Sequence, residues 1–260
     1  MPLVSIQRDI ATLLAPNRSA SSHLAGALHL APDSPRSSED LDYFHEDLAS
    51  VAKAFESDRR LLEKSGYRVE VQLSQPGFIR AIVGREDGTT KVDWVHDSAW
   101  RFFPPLPDPQ VGFRLHPIDL AVNKVLALSG RDEPRDFLDV IHVHEHLLSL
   151  GALCWAAVGK DPGYNPESLV ETLARKGRYH PGDFAALRLA SPDLVKLKGT
   201  WLRAIDEARH LAGTLPPEDA GCLYLDPVEG NAVSPSGDTR RLRRHFGTHG
   251  GILPSIGRER

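Results

Sequence analysis

The stretch "SSEDLDYF", residues 37–44, decides how this chain is read. Its EDLDYF portion has the make-up of a strand, and in a strand residues two apart point to the same face. Asp40 and Asp42 therefore project together, while Leu41 and Tyr43 face the other way. Two carboxylates on one face repel, and close approach raises the pKa of one of them. A divalent cation removes that conflict. Magnesium takes one or two carboxylates plus substrate phosphates, and a pair of metal ions can stabilise the attacking and leaving oxygens of a phosphoryl displacement. The plain alternative is a turn followed by a strand with both acids solvated. D-x-D alone is common and does not choose between the two.

Working outward, Leu3, Ile6, Ile10 and Leu13 recur at helical spacing. In SASSHLAGALHL, Ser21 or Ser22 is expected to cap a second short helix carrying Leu24, Leu28 and Leu30. APDSPRSS is a loop by composition. Beyond the acid pair, residues 46–65 carry a helical pattern that Gly66 stops. YRVEVQLS, GFIRAIVGR and TKVDWVHDS then read as three strands, with a turn at EDG. Asp93 lies on the last of them. In a compact sheet that strand can sit beside the first, and three acids from two strands make a metal-plus-base arrangement. The proline-dense FFPPLPDPQ ends this block, and VGFRLHP adds a short strand.

From Pro117 the character changes to helices. They are expected over PIDLAVNKVLALSG, over EPRDFLDVIHVHEHLLSLG as one helix with Pro134 in its first turn, over NPESLVETLARKG, and over two later segments, HPGDFAALRL and PDLVKLKGTWLRAIDEARHLAG. GCLYLDPVEGNAV reads as a β-hairpin followed by a polar, basic, glycine-rich tail. The expected class is α+β: a mixed sheet flanked by helices in residues 1–115, a helical subdomain in 116–215, and a hairpin with a basic tail in 216–260.

The bulk properties fit a globular chain. Of 260 residues, 41% are hydrophobic and 25% charged, which argues against extensive disorder. A formal net charge of -4 gives no basis for nucleic-acid binding by bulk charge. Cys154 and Cys222 show no metal-type spacing and no disulfide framework, so a reducing compartment is expected. The N-terminus carries no secretory pattern, and ALCWAAV is too short to span a bilayer. Cytoplasmic location and no membrane partner are the resulting expectations.

The order of blocks resembles the nucleotidyltransferase superfamily with the DNA polymerase β-like fold. More narrowly it resembles the AbiEii/AbiGii (MenT-like) toxin family, in which a G-G-T-A-L segment, a short loop and S-x-D-L-D-x-F occur in order. Gly26, Ala27 and Leu28 stand near the glycine motif, and Ser38, Asp40, Leu41, Asp42 and Phe44 match the second. Downstream, Lys124 on a helix followed by Arg135, Asp136 and Asp139 matches that family's lysine and R-D-x-x-D signature. The resemblance covers roughly residues 20–150.

The resemblance implies a magnesium-dependent enzyme that moves a nucleotidyl group from a nucleoside triphosphate to a hydroxyl of a tRNA 3′ end or a protein. It also implies a toxin–antitoxin setting with a cognate antitoxin partner. Asp40, Asp42 and Asp93 would hold magnesium, and Asp93 would also orient or deprotonate the acceptor hydroxyl. Gly26, Ser38, Lys124 and Arg135 would bind the nucleotide. Asp136 would complete the catalytic set with Asp40, Asp42, Asp93 and Lys124, either by orienting Lys124 or by stabilising its helix N-terminus. Ala25 stands where the family pattern has a second glycine. It motivates a rival reading, a nucleotide- or protein-binding module that keeps the fold without catalysis.

Two further motifs have plainer readings. His142 and His146 lie four apart beside Glu145, but no H-E-x-x-H pattern or third ligand accompanies them, so an exposed helix face is expected rather than zinc. Arg240, Arg241, Arg243 and Arg244 are either RNA-phosphate contacts or a solvated tail.

Overall fold

The computed structural model describes residues 3–26, 40–187, 193–236 and 238–254. The chain divides into two compact units, Met1–His116 with His249–Gly251 and Pro117–Thr248 with Ile252–Arg260.

The first unit contains helices α1 (Ser5–Leu14) and α2 (Leu48–Lys64). Its strands are β1 (Ser22–Ala25), β2 (Asp40–His45), β3 (Arg68–Gln75), β4 (Phe78–Arg85), β5 (Gly88–His96), the short β6 (Trp100–Arg101), β7 (Leu106–Asp108) and β8 (Gly112–Arg114). Seven of them form one mixed sheet in the order β3-β4-β5-β2-β1-β8-β7. β2 runs parallel to β5 and β1 parallel to β8, and the remaining pairs are antiparallel. The expected helix over residues 21–30 is not formed at its start, because Ser22–Ala25 is a strand paired with Asp42–His45. Sheet pairing buries His23, Leu24 and Ala25 and overrides a helical spacing that rested on three leucines. Leu28 and Leu30 lie outside the described residues.

The pleat divides the sheet's side chains between two faces. Leu41 and Tyr43 of β2, Ile79, Ala81 and Val83 of β4, and Val92 and Trp94 of β5 pack with Ile10 and Leu14 of α1 and with Val51, Phe55 and Leu62 of α2 in one core. Phe55 meets the Trp94 ring edge-on at 5.0 Å. Every residue between those core positions is turned to the opposite face. That alternation turns Asp40, Asp42, Arg80, Lys91 and Asp93 to one face, and the strand order brings them together.

A charged cluster is sealed inside this core. Asp58 of α2 accepts two 2.6 Å bonds from Arg18, one of 2.7 Å from the Trp94 indole and one of 2.8 Å from Asn17. The Arg18 and Asp58 side chains have no solvent exposure, and the Arg18 guanidinium lies 4.5 Å from the Tyr43 ring centroid. His45, at the end of β2, is 1% exposed. Its Nε2 has no hydrogen-bond partner. Burial first, and the Arg18 charge second, push its pKa down from 6.5 to about 4. The unfolded chain therefore binds a proton between those values that the folded chain refuses. Stability is complete above pH 6.5 and falls as pH drops toward 4, by about 3 kcal/mol in all. Urea melts of wild type and His45→Gln across pH 4–7 test this, and an equal pH slope in both proteins would remove His45 as the cause.

The second unit contains α3 (Pro117–Gly130), α4 (Pro134–His146), α5 (Leu150–Lys160), α6 (Pro166–Ala174) and α7 (Leu194–Thr214). The single helix expected over 133–151 is two. α4 ends at His146, and Ser149 caps α5 by accepting a bond from the Ala152 N–H. α5 carries ALCWAAV and is buried on nearly every side, against α3, α6, α7 and β9 (Cys222–Leu225). Gly159 permits that depth, since a Cβ there would lie 2.5 Å from the Gly221 carbonyl oxygen. HPGDFAALRL forms a 3-10 helix over Pro181–Leu187 instead of an α-helix.

The hairpin of β9 and β10 (Ala232–Val233) is present as the sequence indicates. The basic run is more than a tail. Arg243–Phe246 forms β11 on the other edge of β9. Buried Asp219 anchors it, bonding Arg244 at 2.7 Å and the Tyr224 hydroxyl at 2.8 Å, while its carbonyl accepts from the Trp155 indole at 2.9 Å.

Candidate active site

Asp40 and Asp42 sit half-buried on the outer face of β2. On parallel β5, Asp93 is the direct neighbour of Asp42 and Lys91 that of Asp40. On β4, Arg80 is opposite Asp93. Lys91 Nζ lies 3.6 Å from an Asp40 oxygen. Arg80 donates to both oxygens of Asp93, Nε at 2.8 Å and Nη2 at 2.6 Å. Adjacent strands thus line up three acids and two cations on one sheet face.

Gly26 closes the end of β1 beside them. Its φ is +104°, a conformation glycine adopts without cost, and a Cβ there would stand 3.3 Å from Asp42 Oδ2. The backbone therefore approaches the acid face at the one glycine that remains of the expected motif. Ala25, in the other position, lies within β1, 2% exposed and paired with Asp42. Ser38 and Ala27 lie outside the described residues.

This donor set fits magnesium in part. Asp40 and Asp42 offer hard oxygen ligands on a common face, enough for an ion whose other ligands are phosphates and water. The expected triad is not gathered into a ready cluster. Among the described residues no group of three or more His, Cys, Asp or Glu is placed to hold a metal, and both oxygens of Asp93 are engaged by Arg80.

The downstream signature lies in the second unit. Lys124 of α3 bonds Asp136 at 3.1 Å and Asp139 at 2.9 Å, both on α4. Arg131 bonds the second Asp136 oxygen at 2.7 Å. Asp136 is fully buried. Burial alone would lower the Lys124 pKa, but Asp139 and Asp136 outweigh it and hold the ammonium above its usual range. Burial likewise works to raise Asp136, and Lys124 and Arg131 outweigh it, so the carboxyl stays below its usual range. The contribution of Asp136 is therefore present above its ordinary pKa of 3.8 and lost as pH falls through the lower folded value. Arg135 is half-buried in the first turn of α4. Replacing Lys124 by methionine removes the ammonium that bonds both Asp136 and Asp139. The expected cost is about 3 kcal/mol, read as a lowered urea midpoint at unchanged slope, and a loss of stability below about 1 kcal/mol would rule out a structural role for the pair.

Arg80, Lys91 and Arg131 escaped the sequence reading. The only available signal was alternation: Arg80 falls between Ile79 and Ala81 as Asp93 falls between Val92 and Trp94. Strand order was needed to bring the two together. His142 and His146 stack at 4.3 Å, and His146 Nδ1 is bonded to the His142 carbonyl.

The fold is similar to that of a solved nucleotidyltransferase. Among solved structures the chain is similar to MenT4, a nucleotidyltransferase toxin from Mycobacterium tuberculosis H37Rv, with 14% identity, 82% of this chain and 83% of that one covered, and a TM-score of 0.59. JHP933 from Helicobacter pylori overlays more loosely, at 17% identity, 80% and 90% coverage and a TM-score of 0.49. No family model matches the sequence, and no curated protein matches it.

Proposed function

We propose that this chain is a nucleotidyltransferase that moves a nucleoside monophosphate from a triphosphate to a hydroxyl acceptor, acting as the toxin-like member of a toxin–antitoxin pair. The observation that carries this is the pairing of Asp42 with Asp93 across parallel β2 and β5, with Asp40 two residues away and the Gly26 backbone against Asp42. In this reading Asp40 and Asp42, with Asp93 completing the set, hold magnesium, which when bound would neutralise triphosphate charge and stabilise the charge that develops at phosphorus. Asp93 accepts the proton of the acceptor hydroxyl. The acceptor oxygen bonds to the α-phosphorus as the bond to the bridging oxygen breaks, and pyrophosphate leaves.

Gly26 lets backbone approach the phosphates. Ser38, Lys124 and Arg135 are assigned to nucleotide binding, and Asp136 orients Lys124, to which it is bonded. The acceptor is a tRNA 3′ end or a protein side chain, and the antitoxin is the protein partner. Cytoplasmic location belongs to the same reading. Among the described residues no helix is long and apolar enough to cross a membrane.

The engagement of Asp93 by Arg80, with Ala25 in place of a glycine, favours a second reading, a nucleotide- or protein-binding module without turnover. One assay separates the two. The protein is incubated with magnesium, each labelled nucleoside triphosphate, and total tRNA or lysate, beside Asp42→Ala. Labelled tRNA or protein that depends on Asp42 supports the enzyme. No product in any combination, with nucleotide binding indifferent to the substitution, supports the module.

A further inference from the structure

The acid face carries a cation of its own. Arg80 grips Asp93 through two parallel bonds, the fork geometry in which arginine recognises a carboxylate. Its guanidinium lies 5.2 Å from the Phe78 ring centroid, and its side chain is 38% exposed, so it has room to turn. The bond to Asp93 is the largest influence on Arg80, yet the charges of Asp40 and Asp42 also reach it. Among the described residues, the three carboxylates thus face Arg80 and Lys91, and both oxygens of Asp93 are engaged by Arg80.

We propose that Arg80 is the resting counter-ion of the acid face and competes with the divalent cation for Asp93, releasing that carboxylate when nucleotide and cation enter together. The inference rests on the nucleotidyltransferase reading. A guanidinium displaced from a carboxylate matches phosphate oxygens with the same planar fork. The exchange keeps the site closed to cations alone and makes cation and nucleotide bind cooperatively. Arg80 acts here by holding Asp93 at rest and by contacting the phosphates once it is released.

The test is Mn2+ binding to the full chain, followed through the electron paramagnetic resonance of free Mn2+. Arg80→Met and the polar Arg80→Gln should each tighten nucleotide-free Mn2+ binding by about tenfold. The gain should vanish when Asp93→Asn is added. With a non-hydrolysable triphosphate present, both Arg80 variants should bind that nucleotide more weakly than wild type. Thermal melts confirm that each variant is folded, and the two replacements check one another. Mn2+ affinity unchanged or weakened in both Arg80 variants overturns the proposal. If that affinity responds to Asp42→Asn, only the competition fails. If it ignores Asp42→Asn as well, the assignment of the acid face fails with it.

Discussion

Replacing Asp58 by alanine is expected to cost about 3–5 kcal/mol of stability, the range for breaking a buried ion pair from one side. The carboxylate satisfies three donors, Arg18, Asn17 and the Trp94 indole, and the Arg18 and Asp58 side chains have no solvent exposure. Without it, the guanidinium of Arg18 stays buried against Tyr43 with no counter-charge, and Trp94 loses its indole partner in the centre of the core. For a domain of marginal stability a loss of this size is a large part of the total. The pair Arg18→Met with Asp58→Leu should recover much of it, because a buried pair replaced on both sides by apolar groups leaves no stranded charge. Urea denaturation reads both results, and a loss below about 1 kcal/mol for Asp58→Ala would show that water reaches the cluster.

Asp42→Asn is expected to lower nucleotidyl transfer by about a thousandfold or more, some 4 kcal/mol of barrier. The amide keeps the size of the side chain and removes its charge. Asp42 sits half-buried on the outer face of β2 beside Asp40 and Asp93, so the change leaves the core untouched. Stability should change little while activity falls. That contrast separates a role in the reaction from a role in folding. Activity within tenfold of wild type in a folded Asp42→Asn protein would remove this acid from the chemistry.

Much of the first unit was legible because strand alternation is a local property. Period-2 patterning placed β2, β3, β4 and β5 and sent Asp40 and Asp42 to one face. Ser22–Ala25 was misread because its burial comes from sheet neighbours far along the chain and not from its own pattern. The break at 147–149 was missed because one apolar helix and two consecutive ones have nearly the same composition. Only the serine cap distinguishes them.

The acid pair, its common face, the α+β order and the family resemblance are all readable from the chain alone, since each depends on spacing along the backbone. Tertiary structure decided which strand lies beside which. It made Asp93 the neighbour of Asp42, put Arg80 on Asp93, buried Asp58 with Arg18, and turned the basic run near the C-terminus into an edge strand held by Asp219. These are contacts between residues up to tens of positions apart. Their partners are chosen by packing and charge in three dimensions, and nothing in local periodicity encodes them.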